Sequence, residues 1–201
     1  MGVDSQKVVN RNSEIPQGRI IKKVYVGHAP TAAVQMVYSG KYHHSDSVNL
    51  QLKVLSWLLE KNLDTLKDFS GLNKPSVELI LNKYPTESYA INIAFKCQVA
   101  QAEHMVDLVH QTIAALQKGI NTDELKQYVL RRKRELKVQT FDYVFWRDYL
   151  AAQYMNHDGP YDIVHYPYNF RKATEQILQQ AANEFLTDRN YIEAMLLPAK
   201  N

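Results

Sequence analysis

Residues 88–97 read Ser-Tyr-Ala-Ile-Asn-Ile-Ala-Phe-Lys-Cys. Tyr89, Ile91, Ile93, Phe95 and Cys97 alternate there with Ala90, Asn92, Ala94 and Lys96, the period of two that turns one face of a strand toward a core. The preceding run, residues 75–82 (PSVELILN), is similarly rich in strand formers, and Tyr84-Pro85-Thr86-Glu87 between the two is turn chemistry. The pair reads as an antiparallel hairpin. Two further β-rich runs stand upstream, residues 19–26 (RIIKKVYV) and 32–38 (AAVQMVY), with Gly27-His28-Ala29-Pro30 punctuating them.

Between these pairs lies a helix. From residue 45 to 67, Val48, Leu52, Leu55, Leu59, Leu63 and Leu66 recur at spacings of three and four and so share one helical face. Ser45 or Asp46 suits its N-cap, and Phe69-Ser70-Gly71 its end. After the hairpin, Met105, Val109, Thr112, Ile113 and Leu116 stripe a second helix that Gly119 stops. Thr122 is a good N-cap for a third, which runs about 30 residues toward His157-Asp158-Gly159-Pro160, a length at which a kink or interruption is expected. Residues 171–187 form a last helix and 191–197 a final strand. The order ββα-ββ-αα-α-β does not alternate strand and helix singly, as a doubly wound nucleotide-binding fold does. It predicts an α+β class: an antiparallel sheet with helices packed on one face, preceded by a polar tail over residues 1–14.

The chain has 201 residues, enough for one domain with a sizeable core. Hydrophobic residues make up 45% and charged residues 22%, values of an ordinary globular protein. A net charge of +3 gives no overall field for steering nucleic acid, so no nucleic-acid partner is expected. Cys97 is the single cysteine, which excludes an internal disulfide and a thiolate-based metal site. No apolar run approaches the roughly 18 residues needed to cross a bilayer. The compartment stays open between periplasm and cytoplasm.

Catalytic spacings are missing. Seven histidines invite a search for zinc ligands, but neither H-E-x-x-H nor H-x-x-E-H occurs, and Ala100-Gln101-Ala102-Glu103-His104 has alanine where the first histidine belongs. Glu103 and His104 read as solvated helix residues, and His43-His44 as a diverging loop pair. Arg131-Arg132-Lys133-Arg134 with Lys137 is interrupted by Glu135 and reads as a solvated helix face. Gly27 and Gly40 lack any phosphate-cradling context, and Ser70 beside Gly71 lacks a nucleophile elbow. Tyr143, Phe145, Trp146 and Tyr149 crowd one helix and Tyr161, Tyr166 and Tyr168 the segment after it. Such crowding is usually core packing, with a partner-facing surface the minority reading.

Taken as a whole, the chain from about Glu14 to Pro198 resembles the C-terminal portion of zinc peptidases of the insulinase/pitrilysin family. The resemblance is carried by IPQGRIIKKVYVGHAPTAAVQMVYSGKY, LQLKVLSWLLEKNLDTLKD, YPTESYAINIAFKC, KGINTDELKQYVLRRKREL, FWRDYLAAQY and LTDRNYIEAMLLP, in that order. It implies that residues 15–201 form a non-zinc-binding peptidase domain, a half-like sandwich of antiparallel sheet backed by helices. It further implies a companion zinc-binding domain, in the same chain or a partner subunit, that carries H-x-x-E-H with its Glu as general base. This chain would then hold no cofactor and be inactive alone, and an unfolded peptide would be the shared substrate. Active C-terminal halves of the family show L-R-E and then G-x-Y, whose Arg and Tyr assist substrate binding. Here the matching stretch is Leu66-Lys67-Asp68-Phe69-Ser70-Gly71-Leu72-Asn73, which needs a one-residue gap to place Lys67 at the Arg position and Asn73 at the Tyr position. Lysine keeps the charge but loses the bidentate fork. The resemblance therefore implies a substrate-enclosing or structural domain, with a non-catalytic assembly subunit that kept the fold as the alternative.

Overall fold

The computed structural model describes residues 15–28, 30–69, 74–159 and 170–199. The tail read over residues 1–14 lies outside them, as do Asn73, the Ser70–Gly71 pair and the tyrosines at 161, 166 and 168. Five strands, β1 (Gly18–Tyr25), β2 (Thr31–Lys41), β3 (Ser76–Asn82), β4 (Ser88–Gln98) and β5 (Asn190–Leu197), form one open sheet in the order β1-β5-β2-β4-β3. Its helices are α1 (Asp46–Asp64), α2 (Ala102–Lys118), α3 (Thr122–Gln139), α4 (Tyr143–Asn156) and α5 (Glu175–Phe185).

The alternation of residues 88–97 sets the core. Tyr89, Ile91, Ile93, Phe95 and Cys97 are buried along β4, and register brings Gly40, Tyr38, Met36, Val34 and Ala32 of β2 alongside them on the same face. Tyr191, Glu193 and Met195 of β5 continue that face beyond Tyr38, Met36 and Val34. Buried sides of α1, α2 and α5 close over it as a single cluster. Edge-on ring contacts fix the layers: Phe69 meets Phe95 at 5.2 Å and Tyr89 meets Phe185 at 5.1 Å. The Tyr89 hydroxyl also donates to the Phe185 carbonyl at 2.9 Å.

All neighbouring strands run antiparallel except β1 and β5, which pair in parallel from Gly18 beside Asn190 to Tyr25 beside Leu197. The first and last strands are thus neighbours, a pairing that no local pattern encodes. Glycines at the two ends of β1, Gly18 (φ 85°) and Gly27 (φ 71°), take the left-handed backbone that turns the chain into and out of it.

Two element ends differ from the sequence reading, and an expected interruption is located. Ser45 caps α1 as expected, its hydroxyl accepting from the Val48 N–H, but the helix ends at Asp64 with Thr65 as cap. A short 3₁₀ turn over Lys67–Phe69 follows, so no glycine is needed there. Asn121 rather than Thr122 caps α3, because its side chain accepts from both Asp123 and Glu124 N–H groups. The long helix after residue 122 is interrupted, at Thr140-Phe141-Asp142. Asp142 accepts from the Val144 N–H to start α4, and the Trp146 indole donates to the Thr140 carbonyl at 2.9 Å across the break.

The aromatic crowd on α4 is the main departure. Core packing was the expectation, yet α4 has no buried residue. It follows α3, which docks on α1 through its first half, by Trp57–Tyr128 ring contact at 5.3 Å, a Lys61–Glu124 ion pair at 3.4 Å and Arg131 over the Trp57 ring at 6.0 Å. Beyond Arg131 no core residue is contributed by the described part of the hairpin, and the rings of Phe145, Trp146 and Tyr149 meet one another.

Candidate functional site

Lys67, the described member of the expected substrate-contacting pair, lies in the 3₁₀ turn just beyond the C-terminal end of α1. Phe69 is buried and anchors that turn on Phe95, while Lys67 stays exposed. Neighbouring charges brace the same corner: Asp68 lies 3.7 Å from His104 at the start of α2, and Lys74 pairs with Asp64 at 3.0 Å. A cation at this place also complements the carbonyl end of α1. Asn73 lies outside the described residues, so its distance from Lys67 is not part of the geometry.

On the face away from α1, α2 and α5 the strands carry small and mixed side chains. Ala33 and Val37 of β2, Ala90, Asn92 and Ala94 of β4, and Ile192 and Ala194 of β5 are half-buried there, with a Gln35–Asn92 hydrogen bond of 3.0 Å between strands. At one end this face opens into a cleft of about 1180 Å³ bounded by Ile15, Lys41, Asn82, Tyr84, Ser88 and Asn190. Lys83 fixes the β3–β4 turn that borders it by donating to the Asn156 carbonyl at 2.6 Å and to Asp158 at 2.5 Å. That hydrogen bond raises the pKa of the Lys83 ammonium above its ordinary value. Among the described residues β3 pairs only with β4 and β1 only with β5, so within them each offers one edge of main-chain donors and acceptors.

A second polar group lies inside the molecule. The Tyr191 hydroxyl donates to the Glu193 carboxylate at 2.7 Å, and Glu193 is buried. His110 of α2 bridges two tyrosines, with Nε2 3.3 Å from the Tyr191 hydroxyl and Nδ1 3.2 Å from that of Tyr38. One proton arrangement satisfies every contact: Tyr38 donates to Nδ1, Nε2–H donates to Tyr191, and Tyr191 donates to Glu193. Burial holds the Tyr38 phenol well above its ordinary range, with the Asp188 and Glu193 charges adding to it. Burial and then the Glu193 hydrogen bond do the same for Tyr191. This quartet ties α2 to β2 and β5 and is a satisfied internal network rather than an open site. Sequence reading missed Glu193; the signal that could have found it is a charge on the inward phase of β5, between Tyr191 and Met195. The convergence of His110 on it was not, because that depends on how α2 lies across the sheet.

Among the described residues no group of three His, Cys, Asp or Glu side chains converges. His104 faces Asp68, His43 faces Glu87 at 3.4 Å, His44 faces Asn49 at 3.1 Å, and His110 is taken up by its tyrosines. Glu103 is engaged by Lys23 at 2.5 Å, first by hydrogen bonding and then by charge, which lowers its pKa.

No protein-family profile and no curated protein matches the chain. Solved structures do. The periplasmic protease PqqL from Escherichia coli superposes with a TM-score of 0.78 at 19% identity, over 90% of this chain and 21% of its own. A protease from Helicobacter pylori gives 0.75 at 20% identity, over 92% of this chain and 46% of its own. A peptidase M16 inactive domain from Pseudomonas fluorescens gives 0.68 at 13% identity, over 92% and 45%. The chain thus spans between about a fifth and about a half of these structures. Their common fold, that of the half-domains of insulinase-type zinc proteases, is the fold of this chain.

Proposed function

We propose that this chain, which has the fold of an insulinase-type zinc-protease half-domain, works as a substrate-enclosing or structural domain of a zinc-dependent metalloendopeptidase whose zinc is held by a companion domain. One observation carries the reading. The fold matches peptidase structures along nine-tenths of the chain, yet the chain covers only about a fifth to a half of those structures. The absence of a converging ligand set among the described residues accords with the inactive-domain neighbour.

In this role the helix-free face and its cleft form wall, and the free edges of β1 and β3 offer main-chain groups to an extended peptide, a mode that tolerates many sequences. Lys67 and Asn73 are the proposed side-chain contacts, with Lys67 supplying a charge to a substrate carbonyl or carboxylate. A second reading, a non-catalytic assembly subunit, is favoured by the likeness to an inactive domain and by the lysine and asparagine that replace the family's arginine and tyrosine.

Peptide cleavage with added zinc separates them, comparing this chain alone with the chain plus the polypeptide encoded immediately upstream. Cleavage only in the combined sample is the expected result, and Lys67→Ala should then lower kcat/KM about tenfold, the size of one charged hydrogen bond. Cleavage by this chain alone would overturn the proposal. Silence in both samples would favour the assembly subunit.

A further inference from the structure

We propose that the outer side of the α3–α4 hairpin is the surface on which the companion peptidase domain docks, through an acidic, apolar-centred helix. This rests on the reading of the chain as one unit of a larger peptidase, and it names the surface that joins the units. On α4, Tyr143, Arg147, Leu150 and Tyr154 follow one another at spacings of four, three and four, the seam that a second helix fills. That seam lies in solvent: Tyr143 is 79% and Tyr154 84% exposed, and Phe141 at the break is 87% exposed. Isolated exposed apolar residues are common, but two exposed tyrosines and Leu150 at seam spacing on one helix, with Phe141 at the break, are the pattern of an interaction surface.

The exposure is not that of a frayed end. Trp146 holds the start of α4 through the Thr140 carbonyl, and Lys83 holds its end through the Asn156 carbonyl and Asp158. The helix is therefore presented rather than loose, which spares a partner the entropy of ordering it.

Charge selects the partner. Residues 122–156, the hairpin itself, contain seven basic and five acidic side chains, a net +2, and Lys126 and Arg147 are paired with Asp123 and Asp148. Arg131 and Arg132 share Glu135, whereas Lys133, Arg134 and Lys137 are exposed on α3. Two copies meeting symmetrically would set like charge against like charge, so a second copy is disfavoured. A bilayer would require a broad apolar face, and Arg147 and Asp148 interrupt this one. A helix with an apolar centre and acidic flanks matches both the seam and the charge. The companion unit is its source because the chain is only a fraction of the structures that share its fold.

The test uses the full chain and, as probe, the purified polypeptide carrying H-x-x-E-H that is encoded alongside it. Binding is measured by calorimetry and self-association by sedimentation. Tyr143→Ser with Tyr154→Ser should weaken binding by about tenfold or more, as loss of interface anchors does. Both positions are so exposed that circular dichroism and the melting temperature should not change. Arg134→Glu with Lys137→Glu should weaken binding and flatten its salt dependence. Wild-type binding that both variants retain would overturn this surface while leaving the companion reading intact. No binding by the wild type would remove the companion reading and the inference with it. A dimer that the tyrosine variant dissociates, or cosedimentation with phosphatidylglycerol vesicles that it abolishes, would assign the seam to another occupant and overturn the proposal.

Discussion

Individual side chains carry two of the strongest constraints in this molecule. Tyr191 gives its proton to buried Glu193 and takes one from His110, so Tyr191→Phe leaves a buried carboxylate and a ring N–H without partners. The expected loss is about 1–3 kcal/mol of unfolding free energy, read by urea denaturation. A change within about 0.5 kcal/mol would mean that water replaces the hydroxyl. Buried phenols also impose a pH limit. Burial pushes Tyr89 and Tyr42 up to about 12 from an ordinary 10.0. A raised value means that the folded state favours the protonated form. Their contribution is therefore complete below pH 10 and lost as pH rises toward 12, because the unfolded chain ionises first. Denaturation midpoints should fall across that window, and Tyr89→Phe should make the fall shallower. Of the candidate site, Lys67 was legible only through resemblance, since an exposed lysine has no pattern of its own. Glu193 was passed over in the final strand, although its inward phase could have marked it, and its partner His110 had no such signal.

At the scale of elements, period and caps did most of the work. The apolar stripe from Val48 to Leu63 and the alternation from Tyr89 to Cys97 each concern one element and one buried face, and such patterns survive without knowledge of the partner. Aromatic crowding on α4 does not survive in the same way. Tyr, Phe and Trp serve equally in a core and at an interface, and the choice depends on where α3 carries the helix. The break before α4 yields a prediction of its own. Asp142 supplies the side chain that caps α4, and loss of a cap costs about 1 kcal/mol. Because α4 has no buried residue, that loss should stay local. Asp142→Ala should speed hydrogen exchange of the α4 amides while the denaturation midpoint of the whole chain barely moves. An equal loss of global stability would show that α4 unfolds with the core.

The molecule as a whole is closed by its two ends. Strand order could not be read from local sequence, because β1 and β5 lie about 170 residues apart and any loop closure of that length adds only slowly to the entropic cost. The pairing is held chiefly by main chain. Beyond the ladder, Gly18 N–H donates to Arg189 O at 2.7 Å, Val26 N–H to Leu197 O at 2.9 Å, and Ala199 N–H to Gly27 O at 2.8 Å. Side-chain burial contributes little, since Ile21, Val24 and Tyr25 remain exposed. Removing residues 1–26 should therefore leave the core of α1, α2, α5 and β2–β5 folded but turn β5 into an open edge bearing Ile192 and Leu196. Open apolar edges pair with other chains. Sedimentation should show the shortened chain self-associating where the full chain does not. Leu196→Lys in the shortened chain should restore the monomer by placing a charge on that edge. A shortened chain that stays monomeric without the lysine would mean that β1 is not what protects β5.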